Sequence, residues 1–74
     1  MYRVDLAGPA DRGLTAMPDD VHAEAMALIE DVVNGLEAAP SRAWRTDAVL
    51  RGQCWIVYAA GGGLLVVLDA GRVG

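Results

Sequence analysis

The stretch from Cys54 to Gly71 reads CWIVYAAGGGLLVVLDAG and decides the fold, because it holds two apolar runs around three consecutive glycines. β-Branched and aromatic residues favour strands, so each run predicts a strand. Glycine adopts positive φ angles at little cost, as a tight turn between antiparallel strands requires. A phosphate-binding loop needs a helix after its glycines, whereas here a second strand pattern follows. The stretch therefore predicts a β-hairpin and no nucleotide site.

The two runs are apolar on both faces of the predicted hairpin, although a sheet with one solvated face normally alternates apolar and polar residues. The rest of the chain has the pattern of only two helices, which can cover one face. The second face therefore needs a cover from outside the chain, and we predict that it binds a partner. The residues predicted to form this partner-binding face are Trp55, Val57, Leu65 and Val67.

The residues before the hairpin predict the other elements of an α+β fold. Residues 2–7, YRVDLA, alternate as a strand does, and residues 9–17, PADRGLTAM, have the spacing of a short helix. An apolar stripe predicts a longer helix over about residues 20–36, and residues 44–50, WRTDAVL, alternate as a further strand. The predicted order is β-α-α-β-β-β in one domain over residues 1–74, with a helical hairpin packed on a mainly antiparallel sheet.

The composition limits the kinds of site that the chain can build. It has 74 residues, a formal net charge of −4, one cysteine and one histidine. These two side chains allow neither an internal disulfide nor a closed zinc site of nitrogen and sulfur ligands. We therefore expect no metal and no cofactor, and we expect self-association or a partner to support so short a chain. The negative charge argues against broad binding to nucleic acid, which needs many neutralised phosphates.

The sequence also predicts a location. No run of about 20 apolar residues is present, so no membrane-spanning helix is expected. The first residues, MYRVDLAGPADR, lack the basic start and apolar core of a signal peptide. A single cysteine inside an apolar strand fits a reducing compartment, and we predict a cytoplasmic protein that does not contact a membrane.

Several side chains near the apolar elements favour structural roles over chemistry. His22 flanks the apolar stripe of the longer helix and is expected at the surface or its boundary, whereas Cys54 is expected in the core. Asp19 or Asp20 is expected to cap the longer helix, and Gly13 to weaken the shorter one. Trp44, Trp55 and Tyr58 could stack on bases, but core or interface packing is the more common use of aromatic residues in strands.

Two arginines are the strongest candidates for chemistry. Arg45 lies on the second predicted strand and Arg72 lies just after the last one, so the two could converge at one end of the sheet and bind a phosphate. Asp47 shares the strand face of Arg45 and would offset its charge. Two solvated arginines at strand ends are an equal alternative.

With these motifs, nearly the whole chain resembles the RelE/ParE toxin superfamily of bacterial toxin–antitoxin systems. Residues 2–21 are similar to the family's opening strand and the start of its helical hairpin, and residues 27–36, ALIEDVVNGL, to its second helix. The segments AWRTDAV, CWIVYAAGGG and LLVVLDAGR are similar to its last three strands. The resemblance implies two helices on a curved, mainly antiparallel sheet and an antitoxin wrapped over the toxin. It also implies one of two activities, RelE-like cleavage of mRNA in the ribosomal A site or ParE-like poisoning of DNA gyrase.

The sequence keeps some of the family's site residues and lacks others. Arg45 matches the first basic position of the family's Trp-Arg-x-Arg motif, while Tyr58 and Arg72 match positions in two later motifs. Asp47 and Trp55 stand where the family keeps basic residues. The resemblance thus implies Arg45, Tyr58 and Arg72 as catalytic residues of a degenerate site. Losing one preorganised donor costs other enzymes about 100- to 1000-fold in rate, so we expect weak or lost nuclease activity.

Three functions follow from the sequence. The first is a toxin-like component of a type II toxin–antitoxin system with weak or lost mRNA cleavage, whose sheet face binds an antitoxin or a second copy. The second is an active ribosome-dependent mRNA endonuclease that uses Arg45, Arg72 and, after a three-residue slip in strand pairing, Arg51. The third is a gyrase-directed toxin.

Overall fold

The computed structural model describes residues 2–39 and 42–73, in which two helices cover one face of a four-stranded sheet. The sheet order is β1-β4-β3-β2, with β1 parallel to β4 and the other neighbours antiparallel. The predicted α+β class and the order of elements are confirmed. The elements are β1 (Arg3–Leu6), α1 (Gly8–Thr15), α2 (Asp19–Ala38), β2 (Arg45–Arg51), β3 (Cys54–Gly61) and β4 (Leu64–Arg72).

The triple glycine forms the turn between β3 and β4, as predicted. Gly61 pairs with Leu64, so only Gly62 and Gly63 lie between the paired residues. Their φ angles are +58° and +82°, and positive φ at both central residues is the pattern of a type I′ turn. This turn follows the right-handed twist of the strands, which allows the long β3–β4 ladder to start directly at the turn.

The core lies between the helices and one face of the sheet. The predicted stripe of α2 is confirmed, because its apolar residues pack on the sheet at helical spacing. On the sheet, Ile56, Leu65, Val67 and Cys54 are the largest side chains that are fully buried. The buried residues of α2 are Val21, Ala25, Leu28, Ile29 and Leu36.

An irregularity in β4 decides which of its side chains enter the core. Val57 pairs with Asp69 but the next residue, Tyr58, pairs with Val67, so Leu68 is an extra residue in β4. In a regular strand Asp69 would share the face of Val67, which is fully buried. The extra residue resets the alternation and turns Asp69 away from the helices, while Ala70 points into the core. The β-bulge thus keeps a carboxylate out of the core.

A close approach of α1 to β4 occurs at Gly13. A Cβ atom at this position would overlap the carbonyl oxygen of Ala70. The sequence predicts that Gly13 weakens α1, because glycine has low helix propensity. The structure adds the packing reason for its presence, since only glycine lets the helix backbone lie directly on the strand.

Two local predictions are wrong. The N-cap of α2 is Pro18, and no side chain caps the helix, because Asp19 and Asp20 already lie in its first turn. There they still interact favourably with the helix dipole. On β1, the face expected to be packed is only partly covered, since Val4 is 40% and Leu6 is 42% exposed at the edge of the sheet. Within the described residues, neither helix has the length and apolar content needed to cross a membrane.

We predict that Gly13→Ala destabilises the fold although alanine favours helices. The added methyl group must displace α1 from the Ala70 carbonyl, and overpacking of this kind costs about 1–3 kcal/mol. Urea unfolding followed by circular dichroism measures the change. The matched control is Gly35→Ala in α2, where no atom of another element lies within 4 Å of the added group. We expect this control to gain up to about 1 kcal/mol, and a gain for Gly13→Ala as well would contradict the close packing.

Candidate functional site

The sheet face turned away from the helices, named the open face here, is mainly apolar. On β3, Trp55, Val57 and Ala59 alternate with residues that are buried under the helices. Directly paired residues of neighbouring strands share a face, so the strand register assigns the other members. These members are Thr46, Ala48 and Leu50 on β2, Leu64, Val66 and Asp69 on β4, and Arg3 and Asp5 on β1.

Each tryptophan of the chain lies over a glycine of the neighbouring strand on the open face. A Cβ atom at Gly71 would overlap the six-membered ring of Trp55, and one at Gly61 would lie 3.0 Å from Cγ of Trp44. Trp44 is 58% exposed and Trp55 is half-buried. The two indoles therefore present broad apolar surfaces at opposite ends of the face. Sequence reasoning missed this arrangement, although a glycine inside a strand is a signal for close approach of another group.

The open face carries few charges within the described residues, and they lie on β1 and β4. The guanidinium Nε of Arg3 is 3.3 Å from Oδ1 of Asp5, which makes an exposed ion pair. Asp69 Oδ1 accepts a hydrogen bond from the backbone N–H of Ala70 at 2.9 Å. β2 adds no charge, because its charged residues pair with buried residues of β3 and so point to the helix side.

The predicted convergence of Arg45 and Arg72 is wrong. Arg45 pairs with Ala60 near one end of β3, and Arg72 pairs with Cys54 at the other end. These positions are six residues apart along the strand, which is about 20 Å. The two arginines lie at opposite ends because β2 and β4 run in the same direction on either side of β3.

The other residues proposed for catalysis are also separated. Tyr58 is only 5% exposed, and its ring belongs to the core beneath the helices. Arg51 lies on the helix side and forms an ion pair with Asp31 of α2. The structure thus brings none of the predicted catalytic residues together, and a catalytic role for each stays an untested prediction.

The four residues predicted to bind a partner lie on two different faces of the sheet, and partner binding by any of them stays a prediction. Trp55 and Val57 lie on the open face, as expected. Leu65 and Val67 have no exposed surface, because they pair with Ala60 and Tyr58 and therefore face the helices. They cannot contact a partner while the helices are in place.

His22 joins the two helices. Its Nδ1 lies 3.0 Å from the carbonyl oxygen of Leu14 in α1, to which it can donate a hydrogen bond. The side chain is half-buried, in agreement with the boundary position expected for it. The described residues contain no group of three His, Cys, Asp or Glu side chains placed to hold a metal ion.

Cys54 is a core residue, as predicted. Its Sγ is 3.4 Å from the carbonyl oxygen of Val21, to which the thiol donates. Burial, and to a smaller extent the carboxylate of Glu24, raises the pKa of Cys54. The thiol therefore stays protonated at neutral pH and is a poor nucleophile.

The comparisons with known proteins add a fold relative. No protein-family model matches the sequence, and no curated protein matches it. Among solved structures, one chain in the crystal structure of the RelBE2 toxin–antitoxin complex from Mycobacterium tuberculosis has a similar fold, with a TM-score of 0.69 and 22% identity. The match covers 97% of this chain and 98% of that chain. It confirms the RelE-like fold that the sequence resemblance implies, and at this identity it shows the fold alone.

We predict that Gly71→Ala moves the Trp55 indole off β4. The added methyl group overlaps the indole ring, which must turn outward into water. In a Trp44→Phe background, the fluorescence of Trp55 then shifts to longer wavelength while the circular dichroism spectrum of the fold persists. Gly35→Ala is the matched control and leaves the emission unchanged. An unchanged emission for Gly71→Ala would contradict the tryptophan–glycine contact.

We also predict a pH dependence of stability that comes from Cys54. Because burial raises the pKa of this thiol, the folded state holds its proton at a pH where the unfolded state releases it. The contribution to stability is therefore complete below the unfolded pKa of about 8.5 and is lost as the pH rises above it. Urea unfolding of the wild type and of Cys54→Ala from pH 7 to 10 measures the difference. Parallel pH profiles for the two proteins would contradict the shift.

Proposed function

We propose that this chain is the toxin-fold component of a type II toxin–antitoxin system, that its mRNA-cleaving activity is weak or lost, and that its open face binds the antitoxin. The observation that carries the proposal is the open face itself. It is apolar across three neighbouring strands, and no described part of the chain covers it. An apolar surface of this kind on a small domain is typical of a protein-binding site.

The two indoles support protein binding in particular. Trp44 and Trp55 lie against glycines of the neighbouring strands, so each indole is held close to the sheet and keeps part of its surface exposed. Aromatic side chains held in place in this way lose little entropy on binding, and tryptophan is enriched among the residues that dominate binding energy. Leu50, which pairs with Trp55 and is 66% exposed, extends the same apolar surface across β2.

The distribution of charge supports weak or lost nuclease activity. RNA cleavage through the 2′-hydroxyl needs preorganised cations at the phosphate, because negative charge develops there. Among the described residues, Arg3 is the one cation that the strand register assigns to the open face, and it is already paired with Asp5. Arg45 and Arg72 lie about 20 Å apart on the helix side of the sheet, too far to act on one phosphate.

The fold relative supports the choice of partner. Its structure is that of a toxin–antitoxin complex, so a chain of this fold is found there in contact with another protein. We propose the same kind of partner for this chain, encoded by a neighbouring reading frame, and a cytoplasmic location for the pair. A second copy of the chain is the alternative occupant of the face.

The proposal predicts that Trp55→Arg strongly weakens partner binding and leaves the fold intact. The test co-expresses the chain with the product of the neighbouring reading frame in a bacterial host and measures their affinity after purification. We expect a loss of at least about tenfold, because a charge replaces an apolar anchor within the interface. Met26→Arg is the matched control, since this side chain is 44% exposed on α2, away from the open face.

Expression of the chain alone separates the other functions. The proposal predicts no mRNA cleavage above background and no gyrase-linked DNA damage. Growth arrest with mRNA cleavage would support an active endonuclease instead, and arrest with DNA damage would support a gyrase-directed toxin. Equal affinity of the wild type and Trp55→Arg for the partner would exclude the open face as the binding site.

A further inference from the structure

Asp69 is a carboxylate placed within an otherwise apolar surface. The β-bulge at Leu68 turns it onto the open face beside Val57, and the side chain is half-buried there. One of its oxygens accepts the hydrogen bond from the N–H of Ala70, and it forms no ion pair with any described residue. Water satisfies the remaining lone pairs as long as the face is uncovered.

A partner that covers this surface removes that water. A carboxylate that is buried without a hydrogen-bond donor strongly disfavours binding, so an entirely apolar partner would lose much of the energy gained from the tryptophans. The partner must therefore supply a hydrogen-bond donor at Asp69, and a cation supplies the strongest one. The acidic balance of the chain, with a net charge of −4, favours a cation in the same way.

The position of Trp55 specifies which cation fits best. Its ring lies over Gly71, which is two residues from Asp69 on the same face of β4, a distance of about 7 Å. A planar guanidinium can stack on an indole while its edge donates two parallel hydrogen bonds to a carboxylate, whereas an ammonium group has neither a planar face nor a bidentate edge. Arginine therefore matches the pair of Trp55 and Asp69 better than lysine.

A second copy of the chain fits this surface less well. Within the described residues, the open face offers one arginine, Arg3, and Asp5 already neutralises it. Two open faces packed together would also bring the Asp69 carboxylates of two chains, each with a net charge of −4, into one interface. A different protein with a basic residue in an apolar segment avoids both costs.

We infer that the partner segment bound to the open face inserts an arginine that stacks on Trp55 and pairs with Asp69. The inference rests on the proposed function and names the chemistry that the partner must carry. It also predicts that apolar side chains flank the arginine, because Val57 and Leu50 lie beside the tryptophan.

The test selects ligands from a random 12-residue peptide library displayed on phage. The targets are the wild type, Asp69→Asn and the control Glu30→Gln, which removes one negative charge from the exposed side of α2. Asp69→Asn keeps an oxygen that can accept the hydrogen bond from Ala70, so the bulge is preserved. Peptides that no longer bind Trp55→Arg are taken as ligands of the open face. We expect arginine to be enriched at one position of these peptides for the wild type and Glu30→Gln, and not for Asp69→Asn.

Affinities of one selected peptide complete a double-mutant cycle. Replacing its arginine by glutamine should weaken binding to the wild type at least about tenfold and should have little effect on binding to Asp69→Asn. The inference would be overturned if the peptides that depend on Trp55 shared no arginine. It would also be overturned if replacing the arginine weakened binding equally to the wild type and to Asp69→Asn. Either result would leave the proposed function standing. Failure to recover any peptide that depends on Trp55 would count against both.

Discussion

The contact between Gly13 of α1 and the carbonyl group of Ala70 on β4 sets the distance between the two layers at that point. Because this glycine has no side chain, α1 lies directly on the strand backbone. The β-bulge at Leu68 makes the contact possible, since it points Ala70 inward and Asp69 outward. α2 follows α1 after a short connection and is tied to it by the hydrogen bond between His22 and Leu14. Both helices therefore cover the same face, and the other face stays open.

The regular elements of the fold could be predicted because each corresponds to a local pattern in the sequence. The apolar stripe of α2 has the period of a helix, and its observed bounds, Asp19–Ala38, extend the predicted ones by one or two residues at each end. The triple glycine followed by a second β-rich run predicts a hairpin, and positive φ angles at Gly62 and Gly63 agree with it. The excess of apolar residues in β3 and β4 correctly indicates a sheet with one uncovered face.

The details of the site could not be predicted, because they depend on pairing between distant residues. The alternation along β4 defines two sets of apolar side chains, but it does not show which set lies under the helices. The prediction therefore places Leu65 and Val67 on the open face, whereas both are buried under the helices. The extra residue at Leu68 then exchanges the inward and outward faces for every later position of β4, including Asp69. The sequence suggests that Arg45 and Arg72 converge at one end of the sheet. Strand order and direction place them at opposite ends instead.

The parallel pairing of β1 with β4 has a consequence for the order of folding. Arg3 pairs with Leu64, so the first strand of the chain joins the last one, whereas β2, β3 and β4 are connected in sequence by short turns. During synthesis β1 has no strand neighbour until β4 has left the ribosome. The three-stranded meander can form from local contacts, and loop closure across the chain comes afterwards. We therefore expect β1 to be the last strand of the sheet to pair, although it is synthesised before the other three.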